Sequence, residues 1–317
     1  MEGVCSSPPL GVLASGQQTP VGIALDDANV YWMNLGISGS AAQVMKCAKT
    51  GCGNAPTVLA SAPWNAPTRL AVYGGTVYWA TESVLLSCST DGCPAGPTVL
   101  SSGALQPTDI AVGDAGIYVG DSIRHALLVY PLAGGANPTA LWSSSAAPAA
   151  IALGGTTVYF ATTGVSLLSC GAAGCATIVS GGMPTALAVD GANVYIGTET
   201  SMSPGTVAWC PEASCAAGPK LLTSRVTYCA GIAGDGTNLY FSDRGMAGAD
   251  GGSAFSGLGR VAKCPLAGCT GNPTPVAGFV NLPQQIAVDG TTVYWTDFGS
   301  STNPSGTMDG RVMTASK

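Results

Sequence analysis

Ionisable side chains are scarce in this sequence. Its 317 residues hold 11 Lys and Arg, 17 Asp and Glu and one histidine, so 9% of the chain is charged. With a net charge of -6 and no cluster of Lys or Arg to follow a phosphate backbone, nucleic acid is excluded as a partner. No apolar run reaches the roughly 18 to 20 residues of a membrane span, so none is expected. The opening Met1-Glu2-Gly3-Val4-Cys5 lacks the basic and apolar regions of a signal peptide, and reads as a mature or recombinant form without its leader. No Asn-x-Ser/Thr acceptor exists, because Asn137, Asn272 and Asn303 are each followed by proline.

What the chain has is glycine (45 residues) and a 46% hydrophobic content, the balance of a β-rich protein with many turns. Ile286-Ala287-Val288-Asp289-Gly290-Thr291-Thr292-Val293-Tyr294-Trp295-Thr296-Asp297 reads as a strand, a tight turn and a second strand. Seven copies are marked by Tyr31, Tyr78, Tyr118, Tyr159, Tyr195, Tyr240 and Tyr294. The first strand of each is centred on an alanine: Ala24, Ala71, Ala111, Ala152, Ala188, Ala233 and Ala287. A unit of this kind cannot bury its own faces and must stack on its neighbours.

One repeat reads as strand A at Gly22 to Leu25, B at Asn29 to Met33, C near Gln43 to Cys47 and D from Thr57 to Ala60. Four strands in each of seven repeats predict an all-β, seven-bladed β-propeller as a single domain over 1–317, with blades starting near 20, 67, 107, 148, 184, 229 and 283. Leu10 to Ser15 resembles a strand D, whereas the C-terminus stops after a strand C. Residues 1–19 are therefore expected to complete the last blade from outside and protect its edge. The small central alanines suit crowded inner strands, and the Trp, Phe, Val or Ile after each tyrosine suits the wider space between blades.

Ten of the twelve cysteines form five pairs of identical spacing: Cys47/Cys52, Cys88/Cys93, Cys170/Cys175, Cys210/Cys215 and Cys264/Cys269. Two antiparallel residues flanking a four-residue loop suit a disulfide, so each pair is expected to staple a hairpin tip, and each such ring is worth about 2 kcal/mol. Zinc would require two pairs to converge, which separate blades of a ring prevent. Disulfides imply an oxidising location: extracellular, periplasmic or on the outer cell surface. Cys5 and Cys229 are left over and are expected not to pair. Cys229 stands where other copies open strand A with proline.

The B-to-C loops and D-to-A connectors share one face, and the longest loops, in blades 5, 6, 7 and 1, are expected to raise a lip there. Binding is placed on that face. Arg69, Tyr228, Gln284 and Gln285 are read as flanking the channel mouth, with Asp109 nearby, Arg244 on the Gly-rich segment to Arg260, and Trp64 in a connector where an aromatic suits a sugar or a partner. Asp121, Asp243 and Asp297 recur just after the tyrosine and read first as turn-building aspartates. Asp190, Asp235 and Asp289 read as hairpin-turn residues. His125 reads as a surface loop residue, and no catalytic residue is assigned.

Val293-Tyr294-Trp295-Thr296-Asp297 resembles the YWTD repeat, and the whole chain resembles the wider group of YWTD-, NHL- and virginiamycin B lyase-like propellers. The resemblance implies a propeller fold, while its members include receptors, scaffolds, lactonases and lyases. The lyase branch implies histidines with an acid and a divalent metal, from which a chain with only His125 departs. The lactonase-like branch implies carboxylates around a divalent cation, for which the acids on the binding face are Glu82, Asp109, Asp121, Glu199, Asp243 and Asp297. The expectation is a monomeric, disulfide-stapled, cofactor-free extracytoplasmic propeller binding a protein or carbohydrate. The alternative is a hydrolase or lactonase with Ca or Mg held by Glu199, Asp243 and Asp297.

Overall fold

The computed structural model describes residues 10–36, 41–62, 69–103, 105–135, 137–163, 166–180, 183–190, 193–199, 205–245, 259–269, 271–299 and 309–317. Trp64, Cys5, the side chain of Glu199 and most of the expected lip fall outside them. The described residues form seven four-stranded antiparallel sheets in a ring. Blade 1 comprises Pro20–Leu25, Asn29–Asn34, Ala42–Ala48 and Thr57–Ala62 as strands A to D. The inner strands of blades 2 to 7 are Leu70–Tyr73, Pro107–Gly113, Pro148–Gly154, Met183–Asp190, Cys229–Gly234 and Pro283–Val288. In blade 7 the outer strand is Leu10–Gln17, paired antiparallel with Gly310–Ser316.

The alanine-tyrosine register is the same in all seven blades. Each central alanine of strand A lies opposite the marker tyrosine of strand B, from Ala24 opposite Tyr31 to Ala287 opposite Tyr294. A small residue facing a large one keeps each sheet thin near the axis.

Successive strand residues point to opposite faces, so each tyrosine and its follower serve different junctions. Tyr31 packs in one core cluster with Trp79 of the next blade, Tyr118 with Phe160, Tyr240 with Trp295, and Tyr294 with Trp32 across the closure. The remaining junctions pair Tyr78 with Val119, Tyr159 with Ile196 and Tyr195 with Phe241. One dipeptide thus fills the junctions on both sides of its blade.

All five cysteine pairs are bonded. The Cα separations are 5.5 Å for Cys47–Cys52, 5.5 Å for Cys88–Cys93, 4.0 Å for Cys170–Cys175, 4.9 Å for Cys210–Cys215 and 5.3 Å for Cys264–Cys269. The expected hairpin-tip geometry holds only in blade 4, where Cys170 and Cys175 are cross-strand partners. For the other four pairs that expectation is corrected. Cys52, Cys93 and Cys269 lie in C-to-D connections outside any strand, and Cys215 sits in the short 3₁₀ helix Glu212–Ala217.

The reason is the start of strand D, which lies at Gly174 in blade 4 but at Thr57, Thr98, Lys220 and Thr274 in blades 1, 2, 5 and 6, beyond the second cysteine. Cys52 Sγ lies 3.8 Å from Leu13 O, Cys93 Sγ 3.2 Å from Leu59 O and Cys175 Sγ 3.4 Å from Leu141 O. Each of these carbonyls belongs to the outer strand of the preceding blade. Cys269 differs even from these. It follows strand C of blade 6, Gly259–Pro265, and stands five residues before strand D begins at Thr274. Its Sγ lies 3.9 Å from Lys263 O in its own blade, and the half-buried residue packs against the cluster of Tyr195 and Phe241 between blades 5 and 6. Blade 3 has no staple, and there Gly135 N donates to the corresponding carbonyl, Leu100 O, at 2.9 Å.

Cys229 is free and fully buried, opposite Asp243 at the start of its strand, the place that Pro107 and Pro283 take opposite Asp121 and Asp297. Burial pushes its thiol well above the usual range.

Candidate functional site at the channel mouth

The inner strands begin at the face that carries the B-to-C loops, so residues at their starts crowd round the mouth of the central channel. Arg69 immediately precedes strand A of blade 2. Its Nη1 lies 3.2 Å from Asp109 Oδ2 in blade 3. That oxygen also accepts from Ile151 N of blade 4 at 2.8 Å, and Asp109 Oδ1 accepts from Ile110 N at 2.9 Å. Asp109 is 1% exposed. Burial pushes its carboxyl above the usual carboxylate range, against the opposing pull of Arg69 and the two N-H groups. Gln285 of blade 7 joins the group when its amide oxygen faces the guanidinium, accepting from Arg69 Nη2 at 2.8 Å. One arginine therefore ties blades 2, 3 and 7, and through Asp109 blade 4.

A second group adjoins it. The Arg244 guanidinium lies 4.6 Å above the Tyr228 ring and donates to Gln284 Oε1. Ser242 Oγ donates to Gln284 O, and Gln284 Nε2 donates to Leu282 O at 3.1 Å. Gly231 makes this approach of blades 6 and 7 possible, because a Cβ there would stand 2.8 Å from Gln284 O and 3.0 Å from Gln285 Cα. Gln284 and Gln285, expected to flank the mouth, belong to strand A itself.

The recurrent aspartates build the loops around this mouth. Asp121 Oδ1 accepts from the backbone N-H groups of Gln106, Ile123 and Arg124, and its Oδ2 lies 2.5 Å from Arg124 Nη1. Asp243 Oδ1 accepts from Thr227, Tyr228 and Gly245, and its Oδ2 lies 3.3 Å from Arg260 Nε. Asp243 therefore seats the backbone of Tyr228, on whose ring Arg244 stacks. Asp297 is 6% exposed and its carboxyl is pushed up to about 6. Burial causes the rise, Asp309 adds to it, and the N-H groups of Asn281 and Gly299 with Arg311 oppose it.

Among the described residues no three His, Cys, Asp or Glu side chains are grouped to hold a metal ion. Asp243, expected as a ligand, has its acceptors taken by three amides and a guanidinium, which disfavours a cation beside it. Glu82 is exposed, and so is His125, in the left-handed conformation at φ 51° on the turn after Asp121.

A sorting of cations by face escaped the sequence reading. Arg69, Arg124, Arg225, Arg244, Arg260 and Arg311 all lie toward the channel-mouth face, whereas Lys46, Lys49, Lys220, Lys263 and Lys317 all lie toward the opposite one. The signal was available, since each arginine flanks an A-strand start, a B-strand end, a C-strand start or a D-strand end. A planar guanidinium fork suits recognition of oxygen acceptors better than an ammonium does.

No protein-family model and no curated protein matches the sequence. Solved structures do resemble the fold. A streptogramin B lyase has a TM-score of 0.65 at 14% identity, covering 98% of each chain. A catalytically inactive histidine-to-alanine variant of virginiamycin B lyase from Staphylococcus aureus, with quinupristin, gives 0.62 at 14% identity, over 97% of this chain and 99% of that one. A nidogen/laminin complex gives 0.52 at 17% identity, over 65% and 79%. At such identities the likeness is one of fold.

Proposed function

We propose that this chain is an extracytoplasmic, disulfide-stapled binding propeller that recognises a protein or carbohydrate ligand on its arginine-bearing face, at the channel mouth. The observation that carries this reading is the convergence of Arg69, Asp109, Gln285, Arg244, Tyr228 and Gln284 from separate blades on one polar patch. Arg244 over Tyr228 offers a stacked, hydrogen-bonding surface, and the mutual bonding of the group holds it in place before any ligand arrives, which lowers the ordering cost of binding. Five disulfides favour an oxidising compartment. The nidogen/laminin neighbour supports a protein as partner. The lyase neighbours lend less, since the one histidine here is an exposed turn residue.

The test is a screen of the oxidised protein against immobilised glycans and extracellular protein domains, repeated with Arg244→Ala and Gln285→Ala. Binding at the mouth weakens in both variants and persists in Lys49→Ala on the opposite face. Equal binding by all three variants would remove the mouth from consideration. A rise in melting temperature with calcium or magnesium, reversed by EDTA, would favour the hydrolase alternative instead.

A further inference from the structure

The junction between blades 2 and 3 differs from those sealed by a Cys52-, Cys93- or Cys175-type staple, and it contains a groove. At this seam the Gly135 amide on Leu100 O stands where a staple would pack. Beside it lies a cavity of about 40 Å³ whose lining includes Ser83, Ser101, Ser102, Arg124, Tyr130 and Pro138. Since about 10 to 15 Å³ on this measure admits one water, the space accepts a group of a few heavy atoms.

The lining is rich in hydrogen-bond donors. Ser83 and Ser102 are exposed, Tyr130 is buried with its hydroxyl beside Ser101, and Arg124 is half-exposed at 46%. Asp121 fixes the Arg124 guanidinium through Nη1 while being 0% exposed itself and saturated by three backbone N-H groups. The guanidinium is thus held in position by a carboxylate that does not reach the groove. Glu82, next to Ser83, is exposed and does not line it. A positioned guanidinium among hydroxyls is the chemistry of a carboxylate site, in which the fork meets the anion and the hydroxyls complete it.

We propose that this groove binds the carboxylate of a uronic-acid residue in an acidic glycan, independently of the channel mouth. A carboxylate matches the cavity in size. The sugar ring then lies over Ser83 and Ser102, whose hydroxyls suit ring hydroxyls, and against Pro138, which suits its C-H face. An acidic peptide would bring the carboxylate without the ring hydroxyls.

The experiment is titration of the oxidised protein with tetragalacturonate, a neutral galactose tetramer and polyglutamate, followed by isothermal calorimetry at two salt concentrations. Tetragalacturonate binds, the neutral tetramer does not, and raised salt weakens the complex. Arg124→Gln weakens it about tenfold or more, the worth of a charge-assisted hydrogen bond. Arg124 also braces the Asp121 turn, so Ser102→Leu, a substitution of an exposed residue that obstructs the groove, gives a second readout and abolishes binding in a folded protein. Arg244→Ala at the channel mouth leaves it unchanged, which separates this site from the one proposed above. Equal binding of the neutral tetramer, undiminished binding by both groove variants, preference for polyglutamate, or no binding at millimolar tetragalacturonate overturns the proposal.

Discussion

The hydroxyl of Tyr240 donates to Asp235 Oδ2 at 3.0 Å, while Asp235 Oδ1 accepts from the amides of Thr237 and Asn238. One carboxylate thus shapes the A-to-B turn and anchors the tyrosine that packs against Trp295 of the next blade. The same clasp joins Tyr31 to Asp26 at 2.6 Å and Tyr294 to Asp289 at 3.1 Å. Lys317 and Lys49 reinforce Asp235 and Asp289, each from the following blade.

Removing one clasp hydroxyl isolates its worth. Tyr240→Phe keeps the ring and its packing and loses about 1.5 to 3 kcal/mol, the range for a hydrogen bond to a charged acceptor. Tyr118→Phe is the control, because Gly113 stands five residues before it. Urea denaturation compares the two, and equal losses would deny the clasp a stabilising role.

The clasps also set a response to acid. Burial alone raises the Asp235 and Asp289 carboxyls, but backbone amides, lysine and tyrosine outweigh it and hold both at about 2. An unfolded aspartate titrates near 3.9, so the folded state favours the ionised form, and this stabilisation is complete above about pH 4 and lost as pH falls toward 2. Denaturation midpoints fall across that window in the parent and fall less steeply in Asp235→Asn. An unchanged slope in the variant would contradict the assignment.

Asp297 works in the opposite direction. Its folded carboxyl titrates at about 6, above the unfolded value, so the fold favours the protonated form and loses that advantage as pH rises through 6. Asn34 occupies the corresponding place in blade 1, opposite Pro20 as Asp297 is opposite Pro283. Asp297→Asn therefore stabilises the protein at pH 8, by roughly 1 to 3 kcal/mol, and is neutral below about pH 4. Differential scanning calorimetry at both values decides it. A loss of stability at pH 8 would instead mark the charge as wanted there.

Replacing one staple, by Cys170→Ala with Cys175→Ala, costs about 2 kcal/mol, since the ring closed is short. The β signal in circular dichroism survives at 25 °C. Loss of the fold from this single change would mean that the seam against Leu141 O matters more than the ring itself.

Much of the fold was legible because it is written seven times. The alanine and tyrosine markers, the five cysteine pairs and the strand supplied by the N-terminus follow from periodicity, and periodicity survives the loss of any one copy's signal. Tyr31, Tyr240 and Tyr294 showed their spacing but not their bond to the aspartate five residues earlier, because a turn aspartate looks self-sufficient in sequence. The staples were placed correctly in the chain but not in space. Cys52 and Cys93 sit beside a different blade and Cys269 rests in a connection packed on the seam between blades 5 and 6, and contacts between blades leave no local pattern. The mouth was legible only in part. Arg69 and Asp109 are 40 residues apart and meet because the stacking of blades 2 and 3, not local sequence, brings their inner strands together. The groove at Arg124 was not legible, since it forms where segments from Ser83 to Pro138 meet between blades.

The antiparallel pairing of Leu10 with Ala315 brings the beginning of one strand and the end of the other to the same edge of the ring. A load drawing these two ends apart meets the ladder one rung at a time, as a zipper does, and never strains its rungs all together. The closure that completes the circle is thus loaded in an unzipping geometry when its ends are pulled. Gln17, paired with Gly310 at the far end, is the last rung to part, and the six blades closed within themselves keep their own ladders while the seventh opens.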